Sequence, residues 1–334
     1  MTRTFQGTPL SVLDLAPINE GHSASESFQN SVQLAQHVEK WGFNRYWLAE
    51  HHNMPGIASS ATSVVIGHIA GATKHIRVGA GGIMLPNHAT LVIAEQFGTL
   101  EAMYPGRIDL GLGRAPGTDQ YTAYALRRTL NQHVEEFPTQ VEELQKYFAG
   151  DPNAYVRAIP GEGADVPIWL LGSSDFGARL AAKMGLPYAF ASHFSPEYTI
   201  PALRLYKERF EPSEVLSEPY AMVGVNVIAA DTVDQANYVA TSMQQQFLNL
   251  RKGKPAKLQA PIDNIDIAWS LADKEATQNR SKSNSTMIGD AAMVKEKLAK
   301  FIEETGANEV IINSQIYHLE DRLRSYEIIS EMME

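Results

Sequence analysis

The sequence predicts an α/β chain folded as a (β/α)8 TIM barrel. Three observations carry that prediction. Short apolar, strand-like runs alternate with helix-like segments along almost the whole chain, as repeated right-handed βα units do. There are eight such runs, and eight parallel units most economically close on themselves, although periodicity alone leaves an open doubly wound sheet as the alternative. The 334 residues exceed the ~250 of a plain barrel, and the surplus falls in two places, after the fourth and seventh strands.

Residues 10–15 follow Pro9 as a short apolar strand. Residues 23–41 have helical spacing. Phe28, Val32, Ala35 and Val38 share a face, Ser23-Ala-Ser-Glu26 has the form of a capping box, and Gly42 suits a stop. Residues 46–49 read as the second strand, and 59–72 as a small-residue helix able to pack closely on a sheet. Residues 76–79, 89–103 and 108–112 read as the third strand, third helix and fourth strand, with Pro105-Gly106 ending the helix. A polar, partly helical stretch follows from 114 to 165. Strand 168–171, helix 175–184, strand 188–191, helix 196–210, strand 220–229 and helix 233–249 resume the alternation. A second irregular stretch, 250–285, precedes helix 291–305, strand 309–314 and helix 319–333. The expectation is one domain over 1–334, with 114–165 as an insertion and 250–285 as a mobile lid.

Composition narrows the function. Lys and Arg total 28 against 38 Asp and Glu, a net charge of −10. No Lys/Arg cluster occurs, so neither nucleic acid nor an anionic membrane is an expected partner. Cysteine is absent, which removes disulfides, thiolate metal ligands and cysteine nucleophiles together. No run approaches the ~18 apolar residues of a membrane helix, and the N-terminus lacks a signal-peptide core. A cytoplasmic protein is expected.

In a parallel barrel the chemistry lies at the carboxyl ends of the strands. The second strand leads into Glu50-His51-His52-Asn53. An imidazole there can exchange a proton near neutral pH, and alternation along a strand would turn only one of the two histidines to the barrel mouth. Catalysis, a structural role and a metal site stay open from spacing alone; His75, His88 and His193 show no ligand spacing, so no metal is expected. Gly79-Ala-Gly-Gly82 is a fragment of a dinucleotide fingerprint. It reads equally as a tight turn or as backbone on which a flat ring can lie. Arg114 closes the fourth strand, and Ser173-Ser174 opens a helix whose first amides suit a phosphate. A rim salt bridge and plain N-capping are the structural alternatives. Strands four and five are barrel neighbours, so all three residues would converge on one anion.

Four motifs then add up to a resemblance: Tyr46-Trp-Leu-Ala-Glu-His-His-Asn-Met54, Val78-Gly-Ala-Gly-Gly-Ile-Met-Leu-Pro86, Pro105-Gly-Arg-Ile-Asp-Leu-Gly-Leu-Gly-Arg114 and Leu170-Leu-Gly-Ser-Ser174. With these in order, the chain resembles the bacterial luciferase-like flavin monooxygenases over nearly its whole length. The resemblance implies a TIM barrel, and reduced, dissociable FMN supplied by a separate NAD(P)H:flavin reductase. It also implies insertion of one oxygen atom from O2 into a small organic substrate, and a homodimer formed through helices near strands two and three. It implies catalytic roles for His51 and Glu50, with His52 pointing away. Gly81-Gly82 matches the site of a non-proline cis peptide against the flavin ring. Arg114 and Ser173 match phosphate-binding positions, Gly172 and Phe176 line the phosphate and ribityl chain, and His193 with Phe194 lies beside the isoalloxazine. Two departures stand out. Gly113 replaces luciferase's reactive cysteine, and Asn313-Ser-Gln315 with His318 replaces an arginine pair near strand eight. Neither light emission nor a long-chain aldehyde substrate is therefore expected. The superfamily also holds deazaflavin (F420)-dependent dehydrogenases and non-catalytic flavin-binding proteins, which are the alternatives.

Overall fold

The computed structural model describes residues 2–115, 118–127, 136–263, 265–274 and 283–334. An N-terminal hairpin, β1 (Thr4–Phe5) against β2 (Thr8–Asp14), caps the start of the chain. Then come α1 (Ala24–Trp41), β3 (Arg45–Leu48), α2 (Thr62–Ala72), β4 (Arg77–Met84), α3 (Thr90–Met103) and β5 (Ile108–Gly113). The first insertion holds α4 (Gln120–Arg127) and α5 (Phe137–Ala149). It leads to β6 (Ile168–Gly172), α6 (Asp175–Met184), β7 (Tyr188–Phe190), α7 (Thr199–Glu208), β8 (Ala221–Ala229) and α8 (Val233–Arg251). After a short helix α9 (Ile265–Ala268), the chain ends with β9 (Thr286–Gly289), α10 (Ala291–Thr305), β10 (Glu309–Asn313) and α11 (Leu319–Glu331).

The strand order β2-β10-β8-β7-β6-β5-β4-β3 closes through a β2–β3 pairing, and every one of these pairs is parallel. The fold is a closed eight-stranded (β/α)8 barrel. Local chemistry sets the helix ends. Ser23 caps α1 in a complete capping box with Glu26, and Gly42 ends it in the left-handed region, where a side chain would be strained.

Strand alternation divides the buried residues into two layers. Leu10, Val12, Tyr46, Leu48, Val78, Leu110, Val223 and Val225 turn outward, into the main core against the helices. Leu13, Trp47, Trp169, Ala189, Met222 and Ile311 turn inward and fill the middle of the barrel. Trp47 and Trp169 meet edge to face, 5.2 Å between ring centres.

Some sequence expectations need correction. The third barrel strand does not stop at Gly79; it runs through the glycines to Met84, with a register shift between Ala80 and Ile83. The expected turn is therefore bulged strand, and no dinucleotide-type strand-to-helix turn exists there. Glu50, His51 and His52 lie beyond the end of β3, so strand alternation does not orient them. The extra strand β9 pairs with the upper half of β8. Its four residues carry too short an apolar run to have been read as a strand. The second insertion follows α8 rather than β8 itself. Of the expected insertions, Pro116, Gly117, 128–135, Asn264 and 275–282 lie outside the described residues. Among the described residues, no helix is long and apolar enough to cross a membrane.

Candidate functional site

The carboxyl ends of the strands open into a cavity of about 460 Å³, within the range of small-molecule sites. Its floor is the inner barrel layer, including Leu13, Trp47 and Ile311. Its walls come from the loops after β3, β5, β6 and β7 and from α8.

His51, Gly81, Arg114, Gly172, Ser173, Phe176 and His193 all line this cavity. Glu50 and Gly82 are not among its lining residues. The Gly81–Gly82 peptide is cis. Arg114 lies over Phe176, with its guanidinium carbon 3.8 Å from the ring centre, a cation–π arrangement that fixes the head group. No carboxylate pairs with Arg114 among the described residues, so the rim salt bridge considered from sequence is not formed there. Ser174 is the N-cap of α6, yet its side chain makes no capping bond. The first amides of α6 therefore lack the hydroxyl acceptor that N-capping would supply. Gly172 packs against Gly177, so β6 and α6 approach closely at this turn.

The Glu50 carboxylate is buried behind the wall and is fully engaged. Its Oε1 accepts from His52 Nε2 at 2.8 Å and from His88 Nε2 at 2.9 Å, and its Oε2 accepts from the Met84 amide at 3.1 Å. Burial alone would raise its pKa. The bonds from His88 and His52 and the Met84 amide outweigh burial and hold it below the ordinary carboxylate value. Glu50 thus ties together the loop after β3, the end of β4 and the turn carrying His88. The three side chains have the composition of a metal site, and their hydrogen bonds account for their proximity without an ion. His88 joins them only through the fold, which is why spacing did not reveal it.

His51 points the other way, into the cavity, and its Nδ1 has no hydrogen-bond partner. Burial pushes its pKa down to about 4, only partly opposed by Glu50 and assisted by His52. The imidazole is therefore neutral at physiological pH. His193 is packed against Phe194, 4.5 Å between ring centres. A Cβ on Gly224 would lie 2.5 Å from His193 Nδ1, so the glycine in β8 makes room for that ring. At Gly113 a Cβ would lie 2.8 Å from the Met84 sulfur, so a cysteine there would require Met84 to move.

Sequence reasoning missed the far side of the cavity: Asn226, Gln246, Phe247 and Leu258. Only Asn226 belongs to a barrel strand, facing inward by alternation. Gln246 and Phe247 come from α8. Leu258 comes from the start of the second insertion, which is bonded to the loop after β2 through Leu258 N to Ile18 O and Glu20 N to Leu258 O.

Comparison with known proteins agrees with this arrangement. The family described as luciferase-like monooxygenase matches residues 8–309. An Escherichia coli (strain K12) luciferase-like monooxygenase is 52% identical over 325 residues, covering 97% of this chain and 96% of the relative. The N-acetyl-S-alkylcysteine monooxygenase of Bacillus subtilis (strain 168) is 31% identical over 96% of this chain and 97% of its own. The oxygenase component of the flavin-dependent trigonelline monooxygenase of Acinetobacter baylyi is 22% identical over 87% of this chain and 84% of its own. The crystal structure of apo-MsnO8 superposes with a TM-score of 0.89 at 32% identity, covering 97% of this chain and 98% of that one. The chain belongs to the luciferase-like monooxygenase family.

Proposed function

We propose that the chain is the oxygenase component of a two-component monooxygenase, binding reduced FMN from a separate reductase and using O2 to oxygenate a small organic substrate. The observation that carries this reading is Arg114, without a carboxylate partner among the described residues and held over Phe176 beside the α6 N-terminus that Ser174 leaves uncapped. A guanidinium, two serine hydroxyls and helix amides suit a dianionic phosphate. The cavity therefore fits FMN, with Arg114, Ser173, Gly172 and Phe176 at the phosphate end and Gly81 and His193 toward the ring. The resemblance of the motifs and the flavin-dependent, oxygenase-component relative support the same reading.

Bound flavin would supply the activation of O2, which no amino-acid side chain provides. The chain's residues do the rest. His51 offers a neutral imidazole on the cavity wall that can take a proton from a reacting group. Glu50 acts from behind, fixing the loop that presents His51 through the His52, His88 and Met84 bonds. The apolar walls exclude water, and the described residues 251–263, anchored at Leu258, act as a cover. The chain works as a homodimer through α2, whose Val64 is 71% exposed.

The test is a flavin titration of the purified protein. Arg114→Ala is expected to weaken FMN at least ~10-fold while changing riboflavin, which lacks the phosphate, less than ~2-fold. Equal losses would refute the phosphate assignment. Preferential binding of F420 would replace the FMN reading with the dehydrogenase alternative. A stoichiometric metal in the purified protein would assign Glu50, His52 and His88 to an ion instead.

A further inference from the structure

The cavity has two chemically different ends. Arg114 follows β5, whereas Asn313 ends β10, and the closed order separates these strands by four in either direction. They stand on opposite walls. Among the described residues, Arg114 is the only Arg lining the cavity, and no Lys, Asp or Glu lines it. The wall opposite is built from uncharged amides: Asn226, Asn313, Gln246 and Gln315, each at most 8% exposed.

Two of these amides are incompletely bonded. Asn313 Nδ2 donates to Asn226 Oδ1 at 3.0 Å, and Asn226 Nδ2 donates to Thr286 Oγ1 at 3.3 Å. That chain of bonds leaves Asn313 Oδ1 without a partner. Gln246 Nε2 donates to the Ala256 carbonyl at 3.3 Å. A carbonyl only accepts, so the orientation of Gln246 is fixed and its Oε1 is the unpartnered atom. Buried acceptors without donors are destabilising unless something donates to them. The neighbouring wall is apolar, from Phe247, Leu250, Leu258 and Ile311.

We propose that this end is the substrate subsite and that it selects an uncharged molecule with an apolar body and an N–H or O–H donor, such as a carboxamide. The proposal rests on the reading that the Arg114 end holds the flavin phosphate. A carboxylate would face carbonyl lone pairs with no cation among the described residues of that wall. An ammonium would be buried there with no counter-charge among them. Thr286 lies on β9, so the extra strand contributes to specificity by holding Asn226, which in turn holds Asn313.

Three probes of one shape separate the possibilities: hexanamide, hexanoate and hexylamine. Their binding is measured by ligand-observed NMR and calorimetry on the full chain, with and without FMN. Hexanamide is expected to bind at least tenfold more tightly than either charged probe in both states. Asn313→Leu and, separately, Gln246→Leu are expected to weaken hexanamide at least fivefold, with FMN affinity within twofold and a cooperative melt retained. Tighter or equal binding of a charged probe, no detectable hexanamide binding, or unchanged binding in both variants would overturn the proposal. Displacement of hexanamide by FMN would overturn it too, because the amides would then read the flavin. If Arg114→Ala leaves FMN binding intact while the hexanamide preference persists, the cofactor reading fails and the subsite stands.

Discussion

The two ends of the barrel are built on opposite chemistry from the same strands. At the amino ends, charge is buried and paired. Asp109 and Glu309 are fully buried. Arg45 bonds Asp109 at 2.8 Å and Glu309 at 3.0 Å, and Arg77 bonds Asp109 at 2.7 Å. Trp47 Nε1 and Tyr220 Oη donate to the same two carboxylates. Burial alone would lower the Arg45 pKa, but Asp109 and Glu309 outweigh it and raise it above its ordinary value. At the carboxyl ends, the inward positions carry glycine, alanine, asparagine and leucine, and several polar atoms have no partner. At one end the buried charges are all paired without any ligand, and Trp169 Nε1 is the unpartnered donor there. At the other, several cavity-lining residues carry unpartnered polar atoms. That division matches the general separation in barrels of a stabilising bottom from a reactive top.

The largest effect expected from this comparison is at the bottom. Asp109→Leu leaves Arg45 short of one carboxylate and Arg77 with only the Gly106 and Ile108 carbonyls, and removes the acceptor of Trp47. A loss of about 3–5 kcal/mol is expected, the range for breaking one member of a buried ionic cluster. Urea unfolding measures it. A loss below about 1 kcal/mol would mean that the network contributes little and that the two ends do not differ as described.

At the top, His51→Ala is expected to lower turnover with reduced flavin by ~100-fold or more, the scale of a lost general acid or base, while stability changes little. His52→Ala loosens Glu50's hold on the loop and should cost less turnover. If His52→Ala is the more damaging change, then the Glu50 cluster, not His51, stands nearer the chemistry.

How far the sequence reaches follows the same division. The barrel was legible because each strand turns apolar residues outward against a helix, and that periodicity is local. Arg114 and Ser173-Ser174 were legible because strand ends and helix starts are marked by local signals. The partners of Glu50 were not, since His88 lies 38 residues away and meets it only through the β3–β4 pairing. The buried bottom network escaped notice for the same reason: Arg45, Asp109 and Glu309 sit at the starts of three strands that only closure brings together. The amide wall depends on β9 pairing with β8 and on the last turns of α8 reaching the cavity, and neither leaves a local trace.

The pH dependence of stability probes the neutral end more gently. His51 has a folded pKa of about 4 against an ordinary value of 6.5. Above 6.5 neither the folded nor the unfolded state binds this proton. As pH falls from 6.5 toward 4, the unfolded state takes it up and the folded state does not, so stability declines. Between pH 7.5 and 5 this term is expected to be about 1 kcal/mol, after allowance for the open cavity beside the ring. His51→Gln should flatten the unfolding curve by that amount. An identical pH profile in the variant would show that the folded imidazole titrates at its ordinary value, and that burial does not keep it neutral below pH 6.5.

The smallest expected effect is also the one that tests the asymmetry most directly. Gln246 is as deeply placed as many core residues, and replacing a buried polar group usually costs stability because its partners are stranded. Here the side chain has one long bond, to Ala256 O at 3.3 Å, and one unpartnered oxygen. Gln246→Leu removes an unsatisfied acceptor while leaving one carbonyl without its donor, and these changes oppose each other. The expected change in unfolding free energy is within about 1 kcal/mol of zero, against 3–5 for Asp109→Leu. A loss of similar size at both positions would show that Gln246 is bonded through water into a network as complete as that at the bottom. A null result there, with hexanamide binding lost, would locate its role in ligand recognition rather than in folding.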